Sequence, residues 1–181
     1  MDLAAWSGAG RFLKLGKGIR QIKPNFAPSF GGWADEIWER SRERYGLMAV
    51  RDAETLNALY SDIRFLRVRT ADGWAVLLDT QMQGHKQFGD MRVGTIVDCL
   101  APPEGADGVI RTAASALEQR GVDLIVSNQL HPAWSRALLA AGFRQGPSNY
   151  LLALSPEFAA AAARGGEFHF NRGDGDGPIH L

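Results

Sequence analysis

Hydrophobic and polar positions alternate between two periods along this chain, and the switches between them mark out its elements. Residues 33–45 place Trp33, Ile37, Trp38 and Ser41 on one helical side, and Gly46 stops the run. Residues 47–50 are short and strand-like. Asp52 is placed as an N-cap, with Glu54 in the first turn of a helix reaching Tyr60 and Leu56, Leu59 and Tyr60 facing the core. Residues 63–70 (IRFLRVRT) alternate apolar and basic, Ala71-Asp72-Gly73 has turn chemistry, and residues 74–81 return as the partner strand, predicting a hairpin. Arg64, Arg67 and Arg69 are expected at its solvent side or rim, and residues 82–90 as a loop.

The most regular stretch is 92–143. Residues 93–100 (VGTIVDCL) predict a strand, with Val93, Thr95, Val97 and Cys99 on one face and Gly94, Ile96, Asp98 and Leu100 on the other. Ile110, Ala113, Ala114 and Leu117 make a helical stripe within 105–121, with Asp107 as its expected cap and Gly121 as its stop. Residues 122–127 (VDLIVS) predict a second buried strand. Residues 131–141 predict a helix with Pro132 at its first position, Trp134, Ala137, Leu138 and Ala141 inward, and Gly142 after it. Strand–helix–strand is a crossover unit and requires parallel strands. A strand at 148–154, a short alanine-rich helix after Ser155-Pro156 and a last strand at 167–171 complete the pattern, followed by turn and coil.

Composition adds bounds. The 181 residues suit one domain with an appended arm. Lys+Arg and Asp+Glu balance at 20 each, which argues against general nucleic-acid binding. No apolar run approaches a membrane span of about 20 residues. The one cysteine, Cys99, excludes an intrachain disulfide and fits a reducing cytoplasm, and its plain role is a small buried hydrophobe. Residues 1–32 form a basic arm, with five basic residues and one acid before Pro24, and Phe12, Leu13, Leu15 and Ile19 available to one side. Its plain reading is a connector helix packed on its own domain, with a membrane-surface or partner-binding role as the alternative. The break PNFAPSFGG at 24–32 separates it from the domain at 33–181.

This element order, with HPAWSRALLAAGF at 131–143, resembles the GNAT superfamily of acyl-coenzyme A N-acyltransferases. The segments RDAETLNALY and RGDGDGP are similar to bacterial members with two such domains in tandem, and the chain would correspond to the carboxyl-terminal half. The resemblance spans residues 33–171. It implies an α/β (α+β) fold: a mixed, mostly antiparallel sheet with a central parallel strand pair, flanked by helices. It also implies acetyl-CoA or another acyl-CoA as cofactor and a small-molecule amine as acceptor. The family's pyrophosphate loop corresponds to PPEGADGV, so the amides of Gly105, Ala106, Asp107 and Gly108 are the expected phosphate contacts. No Arg or Gln opens that loop, and Glu104 and Asp107 bring negative charge to it. Backbone near Cys99 or Leu100 would hold the thioester oxygen. The family's helix asparagine lines up near His131, with Asn128 three residues earlier, and its thiolate-protonating tyrosine falls on Leu138.

Asp98 and His131 are therefore the candidate catalytic residues, with Asp98 as base for the acceptor ammonium and Asp79 as a second candidate. The plain roles are a buried carboxylate tied to backbone or an arginine for Asp98, and a helix cap for His131. Asp174 and Asp176 are spaced like the start of a calcium loop that lacks its closing acid, and His85, His169 and His180 have no partners at ligand spacing, so no metal site is expected. Two functions stay open: an acyltransferase, and a non-catalytic binding or dimerisation module of the same fold, which allows for a homodimer.

Overall fold

The structure is a computed structural model that describes residues 4–6, 10–15, 22–86, 89–146, 152–163 and 167–175. Its strands are β1 (Ala4–Trp6), β2 (Gly10–Leu15), β3 (Asn25–Ala27), β4 (Leu47–Met48), β5 (Leu66–Arg69), β6 (Trp74–Gln81), β7 (Arg92–Leu100), β8 (Leu124–Gln129), β9 (Arg144–Gly146), β10 (Leu152–Leu154) and β11 (Phe168–His169). Its helices are α1 (Gly32–Ser41), α2 (Ala53–Leu59), α3 (Ala106–Gln119), α4 (Pro132–Ala140) and α5 (Pro156–Ala163). The main sheet runs β3-β5-β6-β7-β8-β2-β9. All its pairings are antiparallel except β7 with β8, so the mixed fold with one central parallel pair is present. Among the described residues no helix is long and apolar enough to cross a membrane.

Local chemistry explains most elements. The Asp52 side chain accepts from Thr55 N at 2.8 Å and starts α2. Ile110, Ala113, Ala114 and Leu117 are buried against the sheet, and Gly121 takes φ +77° after α3. Trp134, Ala137, Leu138 and Ala141 are buried, and Gly142 at φ +87° closes α4. A left-handed residue there leaves little choice but glycine. Gly94 faces α3 so closely that a Cβ would come 2.9 Å from Leu117.

Several expectations give way to tertiary contacts. Residues 10–15, placed on a helical arm, form β2, an inner strand between β8 and β9. Two open sheet edges supply more backbone hydrogen bonds than a lone amphipathic turn can. Lys14 is buried there and ion-pairs with Glu118 of α3. Residue 22 also packs along α3, where Ser115 Oγ accepts from its amide at 3.0 Å. Leu59 lies on the outer side of α2 and is exposed. Arg67 is half-buried because it reaches back to the carbonyls of Tyr60 and Phe65. Asp107 does not cap α3: a tight turn, Pro103–Gly105, leads into the helix, its N-cap is Gly105, and Asp107 Oδ2 accepts from Arg111 at 2.7 Å.

The strict alternation read into residues 93–100 also fails. On β6, Val76 pairs with Asp98 while the next residue, Leu77, pairs with Ile96, leaving Val97 as a bulge. Paired residues share a face, so the bulge puts Asp98 and Ile96 on opposite faces.

Gly73 tests the hairpin turn. A Cβ there would lie 2.3 Å from Leu100 O and 2.6 Å from Val109 Cγ2. Gly73→Ala is expected to cost about 1–3 kcal/mol through overpacking, read from the denaturant midpoint.

Candidate functional site

The candidate residues converge where β7 and β8 stop pairing. Their ladder runs from Val93–Leu124 to Ile96–Ser127 and ends, although both strands continue. The bulge at Val97 falls at that point. Asp98, Cys99 and Leu100 lie beyond it on one side, and Asn128 and Gln129 on the other.

Asp98 is 2% exposed and its carboxylate is fully engaged. Oδ1 accepts from Arg51 Nε at 3.0 Å, Cys99 N at 2.7 Å and Asn171 Nδ2 at 2.6 Å. Oδ2 accepts from Tyr60 OH at 2.7 Å and from Arg51 Nε at 3.3 Å. Arg51 is itself 1% exposed and donates through Nη2 to Asp174 at 2.6 Å. Burial alone would lower the Arg51 pKa, but Asp98 and Asp174 reverse that and raise it. Burial raises the Tyr60 hydroxyl, with Asp98 adding to it. Burial also holds Asp174 above the usual carboxylate range against the pull of Arg51.

His131 is the N-cap of α4: Nδ1 accepts from Ala133 N at 3.2 Å, and Nε2 faces Glu167 Oε2 at 2.9 Å. Tyr45 sits beside it. Its hydroxyl donates to Ala101 O at 2.6 Å and accepts from Trp134 Nε1 at 3.0 Å. Its ring meets His131 and His169 edge-on, at 4.8 and 4.7 Å between centroids. The fully buried His169 also packs on Trp134 at 5.5 Å.

Sequence reasoning found Asp98, Cys99, Asn128 and His131, which the fold brings together. It missed Arg51, Tyr60, Asn171, Asp174, Tyr45 and His169, which surround them. Arg51 directly precedes the cap Asp52, and an arginine there carries no periodic signal. Asp174 appeared only in the turn-rich tail; Asp176 and His180 lie outside the described residues. Among the described residues no cluster of His, Cys, Asp and Glu is arranged to hold a metal. Asp79 lies apart, bound by Arg92 and Arg120 at 2.7 Å each.

The expected phosphate loop is distinct from this cluster. Gly105 N donates to Pro102 O at 2.8 Å, and Ala106 N to Pro103 O, so both amides serve the turn. A Cβ on Gly105 would lie 3.1 Å from the Cβ atoms of Ala101 and Asp72, so that glycine packs tightly on the hairpin turn. Gly108 faces open space. An open cleft of about 220 Å³ lies between this turn and α4, lined by Glu104, Asp107 and Arg136. A second, of about 420 Å³, lies between the turn and α1, lined by Arg40, Arg44 and Asp72. Arg44 is held bidentate by Glu104 at 3.0 and 3.2 Å.

With the carboxyl-terminal segment in place, the residues present do not fit the arm of an acyl-coenzyme A. Cys99 and Leu100 are fully buried, the Cys99 amide is taken by Asp98, and His169 lies against the Cys99 backbone. The end of the parallel pair is filled by the protein's own side chains.

Comparison with family models, curated proteins and solved structures finds no match to this chain.

Two measurements probe the cluster. Arg51→Met leaves Asp98 and Asp174 without their cation, and is expected to cost about 3–5 kcal/mol of unfolding free energy. The second is pH dependence. Burial pushes both imidazoles below their ordinary range; Arg51 adds to this at His169, and Glu167 opposes it at His131. The folded chain thus holds both neutral, and the unfolded chain takes up protons first, near the ordinary value of about 6.5. Their stability contribution is lost as pH falls below that value. Asp174 acts oppositely: its contribution is complete below the ordinary carboxylate value and is lost as pH rises through its raised one. The thermal midpoint is therefore expected to fall between about pH 7.5 and about pH 5.5, with His169→Phe flattening the slope.

Proposed function

We propose that this chain is a non-catalytic domain of the acyltransferase-like (GNAT) fold, serving as a binding module. The engagement of Asp98 supports this reading. A general base needs an oxygen within reach of the proton that it removes. Asp98 spends its oxygens on Arg51, Tyr60, Asn171 and the Cys99 amide. His131 has its Nδ1 on the α4 backbone and its Nε2 at Glu167. Leu138, where the resembled family has its proton donor, is a fully buried apolar side chain. Asp98 is thus committed to the fold, His131 is committed at Nδ1, and Leu138 has no proton to give.

The competing reading, an acyltransferase with an amine acceptor, rests on the strand–helix–strand unit and on the open space beside Gly108. Thermal unfolding with acetyl-coenzyme A separates the two. A ligand at about 100 times its dissociation constant adds about 2.7 kcal/mol. No shift of the midpoint is expected at millimolar ligand. A clear rise, with free thiol released when a polyamine is added, would favour the transferase.

A further inference from the structure

The segment that fills the end of the β7–β8 pair is held as a bound peptide is held. Its backbone is bonded on two sides over residues 167–171 and then closes in a 3-10 turn, Arg172–Asp174. Gly46 N donates to Glu167 O at 2.9 Å, and β11 pairs in parallel with β4. On the other side Leu130 N donates to Phe170 O at 3.0 Å, and Asn171 bridges Gln129. Side chains two and three residues apart then enter separate sites. His169 enters the slot of Tyr45 and Trp134, Asn171 reaches Asp98, and Asp174 reaches Arg51. Backbone pairing for affinity and spaced side-chain sites for specificity define strand-addition recognition of peptides.

The seat differs from an optimised core in two ways. The segment lies outside the seven-stranded sheet and is tied to the fold by a two-residue pairing, one bridge, two further backbone hydrogen bonds, polar side chains and the buried Phe168 and His169. Among the described residues, Asn128 Nδ2 and Gln129 Oε1 of its lining have no hydrogen-bond partner, and neither ring nitrogen of the segment's own His169 makes a well-formed hydrogen bond. Each such group costs about 1–3 kcal/mol when buried, so a concentration of them calls for an explanation.

We propose that residues 167–175 are a displaceable strap, an internal ligand seated in a peptide-docking groove built from the ends of β7 and β8 and from β4. The partner class follows from the strap. It is a peptide with an imidazole or aromatic ring, an amide side chain two residues on, and a carboxylate three residues further that a turn delivers. This rests on the non-catalytic reading and gives its binding module a ligand.

Hydrogen exchange on the intact chain is the first test. Amides of residues 168–171 and of Leu130 are expected to exchange through local opening, at least about tenfold faster than those of β6 and the paired part of β7. Exchange of both sets only through global unfolding would overturn the proposal. The second test is Gly173→Ala in the full chain. A Cβ there would lie 2.2 Å from Tyr60 Oη and 3.2 Å from Asp98 Cβ, which evicts the turn. The variant is expected to keep its far-ultraviolet dichroism, to lose its tail to limited proteolysis, and to bind a synthetic peptide of residues 167–175 saturably by tryptophan fluorescence; the parent chain is expected not to bind it. A released tail without peptide binding would overturn the docking groove. If the variant unfolds as a whole, exchange on the parent chain decides. Stabilisation by acetyl-coenzyme A would sink the non-catalytic reading without altering the exchange hierarchy, so the two failures are distinguishable.

Discussion

The buried guanidinium of Arg51 constrains everything around it. A cation withdrawn from water is tolerable only with carboxylates and hydrogen bonds arranged about it. Arg51 finds Asp98 on the longest strand, Asp174 in the carboxyl-terminal turn, and the carbonyl of Ala49 at 3.1 Å. These groups are far apart in sequence, so the one cation fixes the start of α2, the bulged end of β7 and the tail relative to each other. Asn171 strengthens the tie. Its side chain accepts from Gly173 N while Asp174 accepts from Asn171 N, so a reciprocal capping box holds the start of the turn as Asp174 meets Arg51.

That arrangement decides what chemistry the site has available. A carboxylate with apolar strand neighbours looks like a base when only the strand is known. In the fold it is an anchor, because the bulge at Val97 turns it away from Ile96 and toward Arg51 and Tyr60. The same geometry recruits His169 and Tyr45 into a closed aromatic slot over Cys99. The clefts that remain open at the start of α3 are lined by Glu104 and Asp107, which hold Arg44 and Arg111, together with Arg40 and Arg136.

The legible parts of the fold were those fixed by neighbours in the chain. The stripe of α3, the Asp52 cap, the hairpin around Gly73 and the Gly142 stop depend on residues within a few positions, and the sequence carries those signals in full. The β7–β8 pair follows from the crossover rule. Part of the site was reached by a different route: the family resemblance pointed to Asp98, Cys99, Asn128 and His131, and the strand-face argument for Asp98 fails at the Val97 bulge. The rest was not legible. Arg51 precedes a helix, Tyr60 ends one, and Asn171 and Asp174 lie in a turn-rich tail, so none carries a periodic signal.

By itself, then, the sequence determined the hairpin and the strand–helix–strand unit with its parallel pair, since helical and strand periods are local properties. Only the tertiary structure decided that residues 10–15 are an inner strand, that Asp98 leaves the face of Ile96, and that the tail closes the end of the parallel pair. Each of these depends on a backbone edge or a charge supplied by residues distant in the chain, and no local period encodes a partner that far away.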